Sequence, residues 1–188
     1  MPNLTKLDAY ANDDEINTIV ETPRGCRNKY KYEPKLGLFT LHKVLPPGAV
    51  FPYDFGFIPS TLGDDGDPID VLVLMDEAAP AGCIVKARPV GVIEAEQTED
   101  GKTERNDRLL AVASACHGYC EMRTLNDLPP ELLDGIEHFF VAYNDAQGRQ
   151  FKPLARHGPR KAEKLIDEAI HRAHKAEARK RRKAAKSG

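Results

Sequence analysis

The chain has 188 residues, enough for one domain with a sizeable core, and its 41% hydrophobic and 30% charged content is that of an ordinary globular protein. No apolar run approaches the roughly 18 residues of a membrane helix, and the polar, acidic start MPNLTKLDAYANDDEIN does not read as a secretory signal, so the expected location is cytoplasmic. The net charge of −2 is unevenly spread: from Arg156 onward 12 Lys+Arg face 4 Asp+Glu, leaving an acidic body that is a poor surface for nucleic acid and a natural one for hard cations.

In chain order, residues 1–17 read as a polar leader. Short apolar segments broken by Gly and Pro follow, and they read as strands over 29–33, 38–44, 50–58, 71–74, 83–93 and 109–113. Many short strands at turn-like spacing predict a compact barrel or sandwich. Two helices come next. Asn126 or Asp127 offers the first a cap, and Pro129 and Pro130 suit its opening turn. Leu132, Leu133, Ile136, Phe139, Phe140 and Tyr143 then form one stripe at helical period. The second helix starts near Pro159 and presents Leu165, Ile166, Ala169, Ile170 and Ala173. The final stretch ARKRRKAAKSG has no apolar stripe and is expected to fray. The division expected is therefore leader 1–17, a folded body 18–175 and a basic tail 176–188. Cys26, Cys83, Cys116 and Cys120 read as reduced thiols, because CHGYC (116–120) lacks a second ligand pair for zinc.

The chemistry is concentrated in TLGDDGDPIDVLVLM, residues 61–75. Gly66 and Pro68 favour a tight turn, and Val71 opens a strand. Asp65, Asp67 and Asp70 thus crowd the mouth of a buried strand, where like charges are unfavourable unless neutralised. A hard divalent cation does this well at neutral pH, using one or two carboxylates together with water and substrate phosphate. A calcium-binding loop is excluded, since Gly66 follows Asp65 directly and a strand replaces the second helix. On spacing alone, an exposed Asp-rich turn explains the pattern equally well.

Two further features favour a site. In KYKYEPK, strand alternation puts Lys29, Lys31 and Glu33 on one face and Tyr30 and Tyr32 on the other. That face suits a phosphate–metal complex, with Lys on phosphate and Glu on metal, although a solvated edge strand would look the same. In EAEQTEDGKTERNDR (94–108), Glu99, Asp100, Glu104 and Asp107 occupy a hairpin-like loop that is either merely solvated or completes a multi-metal site.

The string Asp65-Gly66-Asp67-Pro68-Ile69-Asp70-Val71 resembles the signature of the soluble family I inorganic pyrophosphatases. Glu21 in VETP, Lys31 and Glu33 in KYE, FPYDFGFIP, RPVGVI and DLPPELLDGIEHFFVAY fall in that family's order, over roughly residues 18–172. The resemblance implies a mainly β fold: a five-stranded, OB-like β-barrel flanked by two C-terminal helices. It implies hydrolysis of inorganic diphosphate to two orthophosphates with several Mg²⁺ ions, or Mn²⁺ or another divalent ion in their place. It also implies a homo-oligomer, often a hexamer in bacteria. By the same resemblance Asp65 and Asp70 are metal ligands and Asp67 takes the proton of the attacking water. Lys31, Lys43, Arg108 and Tyr143 face the phosphates, and Glu21 and Glu33 complete the acidic ring. Glu99, Asp100, Glu104 and Asp107 are candidates for the remaining metal ligands, with no single placement of the gap.

The chain departs from the family pattern at several phosphate contacts. Phe51 and Phe55 stand where Tyr is usual, Lys43 where Arg is common, and Asn144 where Lys follows the tyrosine. These departures leave two alternatives to diphosphate hydrolysis. One is a related phosphoanhydride hydrolase of altered substrate range. The other is a non-catalytic OB-like binding protein, against which the intact acidic trio argues.

Overall fold

A computed structural model describes residues 3–184. Its strands are β1 (Ile16–Thr22), β2 (Asn28–Glu33), β3 (Leu38–Val44), β4 (Asp54–Phe57), β5 (Asp70–Leu74), β6 (Ile84–Glu99), β7 (Lys102–Arg105), β8 (Arg108–Ala113) and β9 (Gln150–His157). Its helices are α1 (Pro130–Asp145) and α2 (Pro159–Ala184). Strands β1, β4, β5, β8 and β6 pair in that order, and β6 pairs back onto β1, so five strands close into a ring. The mainly β fold with two C-terminal helices is therefore as expected. Strands β7 and β9 extend the long β6, and β2 with β3 forms a separate hairpin.

The ring follows from the apolar pattern. In β5 and β8 the residues Val71–Leu74 and Leu109–Ala113 are buried without alternation, and the two strands run parallel. A strand covered on both faces reads as a continuous apolar run for this reason. Helix α1 sets Leu133, Ile136 and Phe140 inward against β9, and α2 sets Ala162, Ile166 and Ala169 against β6. At Gly56 on β4 the backbone of β1 comes so close that a Cβ would lie 2.0 Å from the carbonyl oxygen of Ile19. Only glycine permits that approach.

Three strands escaped the sequence reading. β1 (INTIVET) mixes polar and apolar side chains because Thr18, Glu21 and Thr22 are themselves buried. β7 and the far end of β6 are two polar arms of one hairpin, turned at Asp100 and Gly101, both of which have positive φ. β9 (QFKPLARH) alternates only weakly and contains a proline.

The leader is not loose over its described part. A 3₁₀ turn spans Leu4–Lys6, the Leu4 amide donates to the Tyr32 hydroxyl at 3.2 Å, and the Ser60 hydroxyl donates to the Leu7 carbonyl at 2.8 Å. The fraying expected over the final stretch from Ala178 is also not seen as far as Ala184, where α2 ends. An i,i+4 pair between Glu177 and Arg181 (3.2 Å) and a contact of Glu177 with Lys6 (3.4 Å) support this extension. Residues 185–188 of the expected tail lie outside the described residues.

Two stability outcomes follow. Gly56→Ala forces β1 and β4 apart and is expected to cost about 3 kcal/mol, the upper end of overpacking, read as a lower urea midpoint. Deleting residues 176–188 removes, among the described residues, no buried side chain and two ion pairs of Glu177, with Lys6 and Arg181, so its expected cost is within about 1 kcal/mol in the same titration.

Candidate active site

A cavity of about 550 Å³ opens where the β2–β3 hairpin faces the mouth of the ring. Its acidic side is made by Glu21 at the end of β1, Glu33 on β2, and Asp65, Asp67 and Asp70 from the turn entering β5. The turn is drawn tight by its own hydrogen bonds. The Asp67 amide donates to the Asp65 carboxylate at 3.1 Å, the Gly63 amide donates to the Asp67 carbonyl at 2.7 Å, and Gly66 takes a φ of 89°.

Two of these carboxylates hold cations of the protein. The Lys31 ammonium donates to Asp67 at 2.8 Å, and the Arg108 guanidinium pairs with Asp70 at 2.8 Å. The second pair is set by the sheet: parallel β5 and β8 match Val71 with Leu109, so Asp70 and Arg108 sit side by side one step earlier. Arg108 is buried and lies over the rings of Phe140 (4.8 Å) and Phe151 (5.5 Å). Its Nη1 also donates to the Asn106 side chain, and its Nε is buried without a hydrogen-bond partner.

Burial raises the Asp65 carboxyl above the usual range, and repulsion from Asp70 and Asp67 adds to this. Glu21 is pushed up to about 7, first by burial and then by Asp70, although its carboxylate accepts the Tyr32 amide at 2.7 Å.

The opposite end is cationic. Lys29 sits 4.8 Å from the Phe55 ring and 5.6 Å from the Tyr143 ring. Lys43 donates to the Gln147 side chain, and Arg149 pairs with Glu99 at 2.9 Å. Burial holds the Lys43 ammonium below its usual range, with Arg149 and Lys29 adding to the effect while Tyr143 opposes it. Burial lowers His42 as well, followed by Lys29, Lys43 and Lys31. Phe51 and Phe55 are buried in an aromatic cluster with Phe139, Phe140 and Tyr143. The Asn144 amide donates to the Phe140 carbonyl at 2.8 Å.

The cavity thus gathers Glu21, Lys31, Glu33, Lys43, Asp65, Asp67, Asp70, Arg108 and Tyr143. It does not gather the four acids of the 94–108 segment. Glu99, Asp100 and Glu104 border an adjoining hollow of about 450 Å³, which shares only Asp65, Gln97 and Asn106 with the main cavity. Asp107 points the other way, accepting the Ala95 amide at 3.0 Å and pairing with Arg105 at 3.0 Å. Alternation explains this: Asn106 and Arg108 turn into the cavity, so the residue between them turns out. The wall where the sequence leads one to expect acids carries two amides, with Asn106 donating to Gln97 at 2.9 Å.

Gln97, Asn106, Arg149 and His42 also line the cavity without a role assigned by the sequence, and Lys29 joins them from the phosphate-facing side of β2. Lys29 was signalled by alternation in β2; the others carried no motif.

The donor set suits a hard cation, since five carboxylates supply oxygen ligands and no cysteine lines the cavity. Among the described residues no three His, Cys, Asp or Glu side chains already surround one point.

Comparison with known proteins agrees with this chemistry. The family model described as inorganic pyrophosphatase matches residues 18–174. An inorganic pyrophosphatase of Nostoc sp. is 35% identical over 168 residues, covering 89% of this chain and 97% of its own. One from Haloferax volcanii is 36% identical over 158 residues, covering 84% and 87%. The crystal structure of inorganic pyrophosphatase from Thermus thermophilus superposes with a TM-score of 0.84 at 30% identity, covering 92% of this chain and 99% of that one. The Helicobacter pylori enzyme gives a TM-score of 0.82 at 31% identity, covering 90% and 99%.

Glu21 generates a pH prediction for the metal-free protein. Its carboxyl is protonated in the fold up to about pH 7 but ionises near 4.5 when unfolded, so the folded state holds the extra proton between these values. Stability is therefore full below about pH 4.5 and falls as pH rises towards 7, by on the order of 3 kcal/mol. In chelator, Glu21→Gln is expected to remove this slope in urea unfolding measured from pH 5 to 8; an unchanged slope would place the titration elsewhere.

Proposed function

The chain belongs to the inorganic pyrophosphatase family, and we propose that it hydrolyses inorganic diphosphate to two orthophosphates in the cavity between the Asp65–Asp70 turn and the β2–β3 hairpin. The observation that carries this reading is the two-ended cavity itself, with carboxylates on one side and Lys29, Lys43 and Arg149 on the other. A diphosphate anion carrying a divalent cation matches both ends.

The family acts with divalent metal, and Mg²⁺ in several copies is the ion we propose, with Mn²⁺ as a substitute. Asp65 and Asp70 would hold it, with Glu21 and Glu33 further out. When bound, such ions neutralise phosphate charge and acidify the attacking water. Asp67 accepts the proton as the water oxygen bonds to phosphorus and the bridging P–O bond breaks; the proton ends on phosphate. Lys29, Lys43, Arg149 and Tyr143 hold the phosphoryl oxygens, and Arg108 orients Asp70 through their ion pair. Positioning and charge stabilisation supply most of the catalysis in this chemistry. Glu99, Asp100 and Glu104, at the adjoining hollow, would act only on an ion shared with Asp65.

The catalytic unit in this reading is 18–175, with 176–188 an appendage. The four described cysteines are free, which supports a reducing, cytoplasmic setting, and no described helix is long and apolar enough to cross a membrane. A homo-oligomer is supported by exposed Leu36, Leu38, Leu41 and Val44 along the β2–β3 hairpin. A wider phosphoanhydride range is a second reading, favoured by Phe51 and Phe55, whose buried rings offer phosphate no hydroxyl.

The deciding experiment is phosphate release from diphosphate with Mg²⁺, beside ATP and tripolyphosphate; release only from the longer anhydrides would select the second reading. Asp67→Asn keeps the shape but cannot accept the proton, so turnover is expected to fall at least about a hundredfold while the fold and metal uptake persist. Turnover within a few-fold of the parent would remove Asp67 from the proton-accepting role.

A further inference from the structure

The cations of the cavity are not equivalent. Lys29 lies over aromatic rings, Lys43 on Gln147 and Arg149 on Glu99, all away from the acidic turn. Arg108 touches Asp70, but it is locked, with a side chain 6% exposed between two aromatic rings. Lys31 differs from all of these. Its ammonium lies 2.8 Å from Asp67, and Glu21 and Asp70 also attract its charge. Its side chain is 45% exposed on a flexible stem and accepts no other constraint from the ring. A cation placed this way neutralises the same carboxylates that a divalent ion would neutralise.

We propose that Lys31, seated on Asp67, is a tethered resident cation of the carboxylate cluster, whose charge opposes that of a divalent ion at the neighbouring Asp65 and Asp70 and so weakens metal uptake by the cavity. The proposal rests on reading the Asp65–Asp70 turn as the metal-holding end. It differs from the phosphate-binding role that the family resemblance gives Lys31. A role confined to substrate would show only once diphosphate is bound, whereas a competing cation lowers metal affinity before substrate arrives. It also makes Lys31 a positioning residue, because Asp67 is available to water only when the ammonium has left it.

The test is a titration of the full chain with Mn²⁺ alone, without diphosphate, following free Mn²⁺ by its electron paramagnetic resonance signal. Lys31→Gln and Lys31→Met are expected to bind Mn²⁺ at least about fivefold more tightly than the parent, or to take up an additional equivalent. Lys31→Arg keeps the charge and should stay within about twofold of the parent, as should Lys164→Gln on the remote exposed face of α2. Two neutral variants guard against one that fails to fold. Unchanged or weaker Mn²⁺ binding in both, or equal tightening in Lys31→Arg, overturns the proposal. The readout is independent of turnover. A parent that releases no phosphate from diphosphate would sink the assigned activity, while tightened Mn²⁺ binding in the neutral variants would still support competition by Lys31.

Discussion

The structure turns on carboxylates held closer together than their charges favour. Asp65, Asp67 and Asp70 share one turn of six residues, and Glu21 is buried beside them. In water such groups would spread apart. Here the turn's hydrogen bonds and the buried strand behind it forbid this, and burial first, then repulsion from the neighbouring carboxylates, raises the proton affinity of Asp65 and Glu21. Such a cluster persists only if cations accompany it or if the fold supplies enough stability elsewhere. Both conditions are met: Lys31 and Arg108 stand against Asp67 and Asp70, and a large apolar core lies beneath.

The closed ring is what makes the cluster rigid. Asp70 is the first residue of β5 and Arg108 the first of β8, and the two strands are parallel neighbours. Their contact is thus fixed by main-chain register and does not depend on a flexible loop. Glu21 arrives from β1, on the far side of the ring, and its carboxylate is tied to the Tyr32 amide of the hairpin. The hairpin is docked by the same bond that orients the acid. A side chain added at Gly56 would part β1 from β4, and so would move Glu21 relative to Asp70.

Much of this was legible in the sequence because it rests on local rules. The continuous apolar runs of β5 and β8 and the helical stripe of α1 state their burial directly. The Asp-Gly-Asp-Pro turn states its own tightness. What was not legible depends on register. Alternation correctly grouped Lys29, Lys31 and Glu33, yet a shift in the β2–β3 pairing between Lys29 and Tyr30 separates the two ammonium groups. One goes to the aromatic end of the cavity and the other to Asp67. In the 94–108 segment the acids are conspicuous and the amides are not, but Gln97 and Asn106 are the ones that line the cavity. No charge pattern could single them out, because their place follows from how far β6 runs and where β7 turns back. Arg149 precedes a strand that was itself unrecognised.

The two ends of the cavity explain each other. Lys43 and His42 are held below their usual proton affinity by burial and by the cations around them, just as Asp65 and Glu21 are held above theirs. Each end is short of the opposite charge, and the protein does not bring the two ends together to cancel, because the fold keeps them on opposite walls. A bare anion would relieve the lysine end and worsen the acidic end; a bare divalent cation would do the reverse. Only an anion bearing its own cation relieves both at once. The unfavourable electrostatics among the cavity's own side chains are thus the complement of a metal–diphosphate complex, and the apolar ring beneath supplies the stability that lets them stand.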